Sequence, residues 1–352
     1  MKAFVPFLVL PLFASSLAAQ QTKLTDFEAI QAYEDSLLQN LKDGQYDALE
    51  DQFEEVQDRS VQTQDGTPKI WAYFRAFDLA DEAKHKSLED IKALAQQVRT
   101  WRDNRPNSVA ALLELANTLI GQANKIRQLS IQNHWDLADP NMKQTLQEPL
   151  TAVAKIIFSP DKSVPAVQLQ AECFAIAVAL YCHFDHIPWA QIQDAVNRGV
   201  LLDPTYIPLY QQALIWLSTR TPEATLPKPI DWITEILRVE PEDSQKTADQ
   251  KAKTYAQTLA FTDQHRVPID IQETDWPTFK RGLALLVHSY PKSTEWATRY
   301  LVLSYAVKDL PATKDALDVL QGNYTQGSSE TPAFFKKSQS GRNISQLALL
   351  HG

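Results

Sequence analysis

Residues 25–56 read TDFEAIQAYEDSLLQNLKDGQYDALEDQFEEV, and the fold follows from this stretch. Thr25, with Glu28 three positions on, has the form of a capping box: the hydroxyl serves the first helical N–H groups and the carboxylate reaches back. Phe27, Ile30, Tyr33, Leu37 and Leu41 then recur at helical spacing until Gly44 ends the run. Tyr46, Leu49, Phe53 and Val56 restart it at once, at the same mixture of three- and four-residue intervals. Two amphipathic helices joined by one Gly-containing turn make a helical hairpin.

Outward from this hairpin the pattern repeats. Thr67-Pro68 opens a third helix, with Pro at the first helical position and Ile70, Trp71, Phe74 and Phe77 on its stripe. Ser87 caps a fourth, carrying Leu88, Ile91, Leu94, Val98 and Trp101, and Ser108 a fifth, carrying Leu112, Leu115, Ala116, Leu119 and Ala123. Further helices are expected over 141–157, 166–185, 189–201, 205–219, 229–238, 245–262, 275–289, 293–307 and 311–320. Residues 267–271 (VPIDI) alternate in part, but Pro268 and the lack of a partner strand make them a linker. The expected fold is all-α, with about seven antiparallel helix pairs stacked on one another. One helical domain is expected over 25–320, divisible into lobes at 25–128 and 141–320, followed by a loosely ordered tail at 321–352.

Three helix starts share an arrangement: Arg105-Pro106-Asn107-Ser108, Asp203-Pro204-Thr205-Tyr206 and Tyr290-Pro291-Lys292-Ser293. The sixth residue after each Pro is Leu112, Tyr210 or Ala297, the ninth Leu115, Ala213 or Tyr300, and the tenth Ala116, Leu214 or Leu301. Small and large apolar residues at these offsets let one helix lie close to its neighbour. The prolines stand 98 and then 87 residues apart, so the repeat has no constant period. These junctions resemble tetratricopeptide-type helical hairpins. More specifically, residues 101–123 (WRDNRPNSVAALLELANTLIGQA), 202–217 (LDPTYIPLYQQALIWL) and 290–320 resemble the domain-of-unknown-function 4034 family of bacterial proteins, over most of 68–320. The resemblance implies a tetratricopeptide-like α-solenoid and no established reaction, so it assigns no catalytic residue. The chain departs from it over 220–229 (RTPEATLPKP).

Lys2, the apolar run at 4–13 (FVPFLVLPLF) and the small residues Ser16 and Ala18 have the form of a secretory signal cleaved after Ala18. The run is interrupted by Pro6 and Pro11 and is far short of the roughly 20 apolar residues a bilayer span needs. No later segment reaches that length, so the expected compartment is the periplasm or the cell exterior, with no transmembrane segment after cleavage. Lys plus Arg number 34 against 43 Asp plus Glu, a formal charge of −9, which argues against a nucleic-acid partner. Cys173 and Cys182 lie nine apart in one apolar run, on opposite faces if it is helical, and cannot bond within an intact helix.

Phosphate-loop, nucleophile-elbow, zincin and C-x-x-C spacings are all missing from the sequence, and no catalytic or cofactor-binding residue and no cofactor is expected. One cluster stands out, Cys182-His183-Phe184-Asp185-His186. His183 and His186, three apart on a helix, face one divalent ion with Asp185 nearby, or else they cap the helix end before Ile187-Pro188. No third ligand is identifiable, which favours capping. Between Ser130 and Pro140 a long connection is expected, and in it His134 and Trp135 are candidate partner-binding residues, because large aromatics carry much interface energy. The other reading of Trp135 is that the connection folds back and buries it. The expected function is a non-catalytic exported scaffold holding a protein or peptide. Two alternatives are a ligand- or metal-binding protein or hydrolase with a site between helix pairs near His183 and His186, and a secreted effector or its neutralising partner.

Overall fold

The computed structural model describes residues 26–58, 61–63, 66–77, 87–132, 140–158, 170–184, 186–220, 226–262, 270–291 and 293–321. These form fourteen α-helices and, among the described residues, no strand. The first seven are α1 (Asp26–Lys42), α2 (Tyr46–Gln57), α3 (Lys69–Phe77), α4 (Leu88–Asn104), α5 (Val109–Gln132), α6 (Pro140–Ile157) and α7 (Ala171–Tyr181). The rest are α8 (Trp189–Leu202), α9 (Ile207–Ser218), α10 (Pro229–Ile236), α11 (Gln245–Thr262), α12 (Trp276–Ser289), α13 (Thr294–Ala306) and α14 (Leu310–Gln321). The fold is therefore all-α, and each periodic run in the sequence has one helix as its counterpart.

Local chemistry sets several of the boundaries. Gly44 takes φ +69°, the left-handed turn that lets the Gln45 N–H reach back to the Asn40 carbonyl at 2.8 Å and close α1. Ser87 and Asp90 form a reciprocal capping box at the start of α4. The Ser108 hydroxyl accepts from the Ala111 N–H at 2.9 Å at the start of α5. The Thr25 box lies outside the described residues. Three departures from the sequence reading bear on the candidate residues or the turns between helices. Pro68 precedes α3 and pairs with Gln62 in an isolated antiparallel bridge, with the Lys69 N–H donating to the Val61 carbonyl at 3.0 Å. Residues 130–132 belong to α5, so the expected connection contributes only 133–139, including His134 and Trp135, which lie outside the described residues. Finally, α7 is shorter than 166–185: Gln170 is extended at its start, and the chain leaves the helix after Tyr181.

Adjacent helices pack as hairpins, most extensively α4 on α5, α5 on α6, α7 on α8, α11 on α12 and α13 on α14. A second set of interfaces skips one helix: α1 on α3, α3 on α5, α5 on α7, α7 on α9, α9 on α11 and α12 on α14. Among the described residues, extensive interfaces join only helices close in chain order. One continuous apolar core runs from Leu37 to Leu320. Within it α7 is buried on all sides except at Phe174, whereas α2 buries only Leu49, Phe53 and Val56. α11 and α12 cross closely: a Cβ built on Gly282 would fall 2.0 Å from the Ala252 carbonyl oxygen.

Candidate functional site

The candidate site is the corner where α7 ends. A helix C-terminus leaves carbonyls without intrahelical donors, and cations are favoured there. Two arginines from elsewhere supply them. Arg127, on α5, donates to the carbonyls of Cys182 at 3.4 Å and His183 at 2.7 Å. Arg220, just past α9, donates to the carbonyl of Phe184 at 2.6 Å. The capping role that the sequence gives to histidine therefore belongs to arginine.

His183 is buried, and its pKa is pushed down to about 4, first by burial and then by the neighbouring Arg127 guanidinium. It is neutral at physiological pH, and its Nδ1 has no hydrogen-bond partner among the described residues. His186 is exposed in the following turn, while Asp185 lies outside the described residues. Because α7 has already ended, the two histidines do not share a helical face, and one is inside the protein while the other is outside. Among the described residues no group of three His, Cys, Asp or Glu side chains is placed to hold a metal ion. Cys173 and Cys182 are free thiols, each pushed up to about 12, chiefly by burial, so neither is an activated nucleophile.

Three tryptophans complete the corner. Trp216 lies one turn before Arg220, whose guanidinium carbon sits 5.0 Å from the indole centroid. Trp189, the first residue of α8, stacks on Trp216 at 5.6 Å and meets Trp232 of α10 edge-on at 5.8 Å. The indole N–H groups of Trp216 and Trp232 are buried and have no acceptor among the described residues. Elsewhere the same group is satisfied: Trp101 donates to Glu50 at 2.8 Å and Trp276 to Asp309 at 3.0 Å. Buried polar groups are nearly always paired, so this local concentration of orphans marks the corner out. The sequence places Trp216 and Trp232 on apolar stripes, as packing residues. Nothing local in the sequence marks Arg127, Arg220 or Trp189, and no spacing links them to His183.

A second polar cluster lies deeper, among α5, α7 and α9. Glu172 accepts from Asn117 at 2.7 Å and from the Tyr206 hydroxyl, whose pKa is held well above its usual range by burial and then by Glu172. Glu114 is fully buried beside them. This network ties the central helices together and leaves the tyrosine a proton donor only. On the surface, Lys143, Glu148, Thr151 and Lys155 of α6 line an open groove of about 540 Å³. Among the described residues no helix is long and apolar enough to cross a membrane. Compared with known proteins, the chain matches no family model, no curated protein and no solved structure.

Proposed function

We propose that this chain is a non-catalytic, exported helical-repeat scaffold that binds a protein or peptide partner, its helix pairs stacked as a tetratricopeptide-like α-solenoid. The observation that carries the reading is the order of packing: extensive helix interfaces join only helices near one another in the chain, as in repeat stacks. The likeness of the 105–108, 203–206 and 290–293 junctions to tetratricopeptide-type hairpins, and of the wider chain to the domain-of-unknown-function 4034 family, supports it. The signal-like residues 1–18 support export.

Charge suggests the partner's character. Residues 26–58 hold eleven carboxylates against one lysine, Lys42, so the chain's formal charge of −9 is concentrated in the α1–α2 hairpin. Asp35, Asp51 and Glu54 are exposed there. A field of one sign steers and selects partners of the other, so a cationic protein or peptide is favoured and a nucleic acid is not. The test uses the chain from residue 19 onward as bait in cross-linking to the native envelope fraction. The parallel bait carries Asp35→Lys, Asp51→Lys and Glu54→Lys. A set of basic partners recovered by the first and lost by the second is the expected result. Recovery of nothing above background, or of the same set by both, would sink the reading.

A second reading has one observation in its favour. The unpaired indole N–H groups of Trp216 and Trp232, with His183 and Arg127 nearby, suit a small acceptor-rich ligand held at the α7 corner. Native mass spectrometry of the purified chain would then show an adduct that Trp216→Phe weakens.

A further inference from the structure

The turn before α3 and the turn after α12 touch, far apart as they are in sequence. Between α2 and α3, the described residues 61–63 and 66–69 approach closely: the Thr63 N–H donates to the Thr67 carbonyl at 2.9 Å and the Gly66 N–H to the Thr63 carbonyl at 3.0 Å. At the tip Gly66 takes φ +82°, and the ring of Tyr290 lies directly over it. A Cβ on Gly66 would fall 2.0 Å from Cε2 and Cζ of that ring, so only glycine leaves room for it. The Tyr290 hydroxyl donates to Oε1 of Gln62 at 2.5 Å, across 228 residues of sequence. Tyr290 itself is fixed on both sides: its N–H closes α12 on Leu286 at 2.9 Å, and its carbonyl accepts from Ser293 at 2.9 Å.

Among the described residues no extensive helix interface joins α1–α3 to α12–α14. Each set is held by packing of its own, and the hydrogen bond between Tyr290 and Gln62 lies at the surface, where water competes for it. We infer that Tyr290 and the Gly66 turn form a clasp that holds α1–α3 against α12–α14, and that releasing the ring separates the two sets while leaving the helices on each side intact. Conformational change at a few junction residues between packed blocks is a common hinge arrangement. The inference concerns the unbound chain and does not depend on the scaffold reading.

The test places spin labels on the full chain at Glu54→Cys in α2 and Lys314→Cys in α14, both exposed. The native thiols are held protonated by burial, and the protein without added cysteines serves as the labelling control. The parent is expected to give one narrow distance distribution. Tyr290→Ala and Gly66→Ala are expected to lengthen and broaden it, with an unchanged circular dichroism spectrum and an unchanged distance for a control pair within α11–α14. Tyr290→Phe, which loses only the hydrogen bond, should keep the parent peak and add a longer shoulder. Parent-like distances in both Tyr290→Ala and Gly66→Ala would overturn the inference. If Tyr290→Ala does not fold, Gly66→Ala decides, because it leaves the Tyr290 side chain in place; a parent-like distance, or loss of its helices, overturns the clasp.

Discussion

The block α11–α14 and the corner at the end of α7 contain the same kinds of polar side chain and treat them differently. In the block, Asp309 accepts from the Trp276 indole at 3.0 Å and from Lys280 at 2.9 Å, which together hold its carboxyl below the usual carboxylate range, Lys280 most of all. Arg281 pairs with Asp249 at 2.7 Å, and Arg299 is shared between the Ala260 carbonyl at 3.0 Å and Glu295 at 2.8 Å. At the corner, two indole N–H groups, an imidazole nitrogen and the Arg127 Nε are buried without partners among the described residues. An unsatisfied buried donor costs about 1–3 kcal/mol, and the two such groups of the block are hydroxyls, of Thr254 and Ser293, so the corner is the less fully paired of the two regions.

The largest expected effect tests the block. Gly282→Ala pushes a methyl group against the Ala252 backbone, which cannot swing aside as a side chain can, and should cost about 3 kcal/mol or more in urea denaturation. A loss under about 1 kcal/mol would mean that the crossing has slack that close packing does not provide. Next comes acid. The pKa of His183 is near 4 in the folded chain, against an ordinary value of 6.5, so the unfolded chain takes up the proton first. Stability should fall as pH drops from 6.5 towards 4, by about 3 kcal/mol in full, and level off below. His183→Gln should flatten that part of the profile; an unchanged slope would remove the corner's claim to it.

The comparison sharpens with a matched pair of tryptophans. Trp101 and Trp216 are equally deep, but only Trp101 has an acceptor, so Trp101→Phe should cost about 1–2 kcal/mol more than Trp216→Phe. Equal losses would show that the orphan indole is satisfied in solution. The smallest effect returns to the block: Asp309→Asn keeps the shape and weakens two donor contacts, for about 1 kcal/mol. Thermal unfolding of the single variant measures it.

Helix positions were legible because each apolar stripe is a local pattern, as in Ile91, Val98 and Trp101 of α4, all fully buried. Helix ends were less so. Tyr181 ends α7 because two arginines, 55 and 36 positions from the carbonyls they reach, hold the turn beyond it, and no local signal marks such distant donors. His183 was visible as a cluster member, but its burial is a tertiary fact. For Trp216 and Trp232 the apolar stripe foretold burial correctly and could not foretell the absence of an acceptor, which depends on neighbours from other helices.

The packing order has a kinetic consequence. Interfaces between helices close in sequence need little loop entropy to form, so hairpins can dock one after another as the polypeptide lengthens. The contact between Tyr290 and the Gly66 turn is of the opposite kind, its hydrogen-bonded partners lying 228 positions apart. It can form only when nearly all the helices are already in place, so ring closure should be among the last events of folding and among the first undone on mild denaturation.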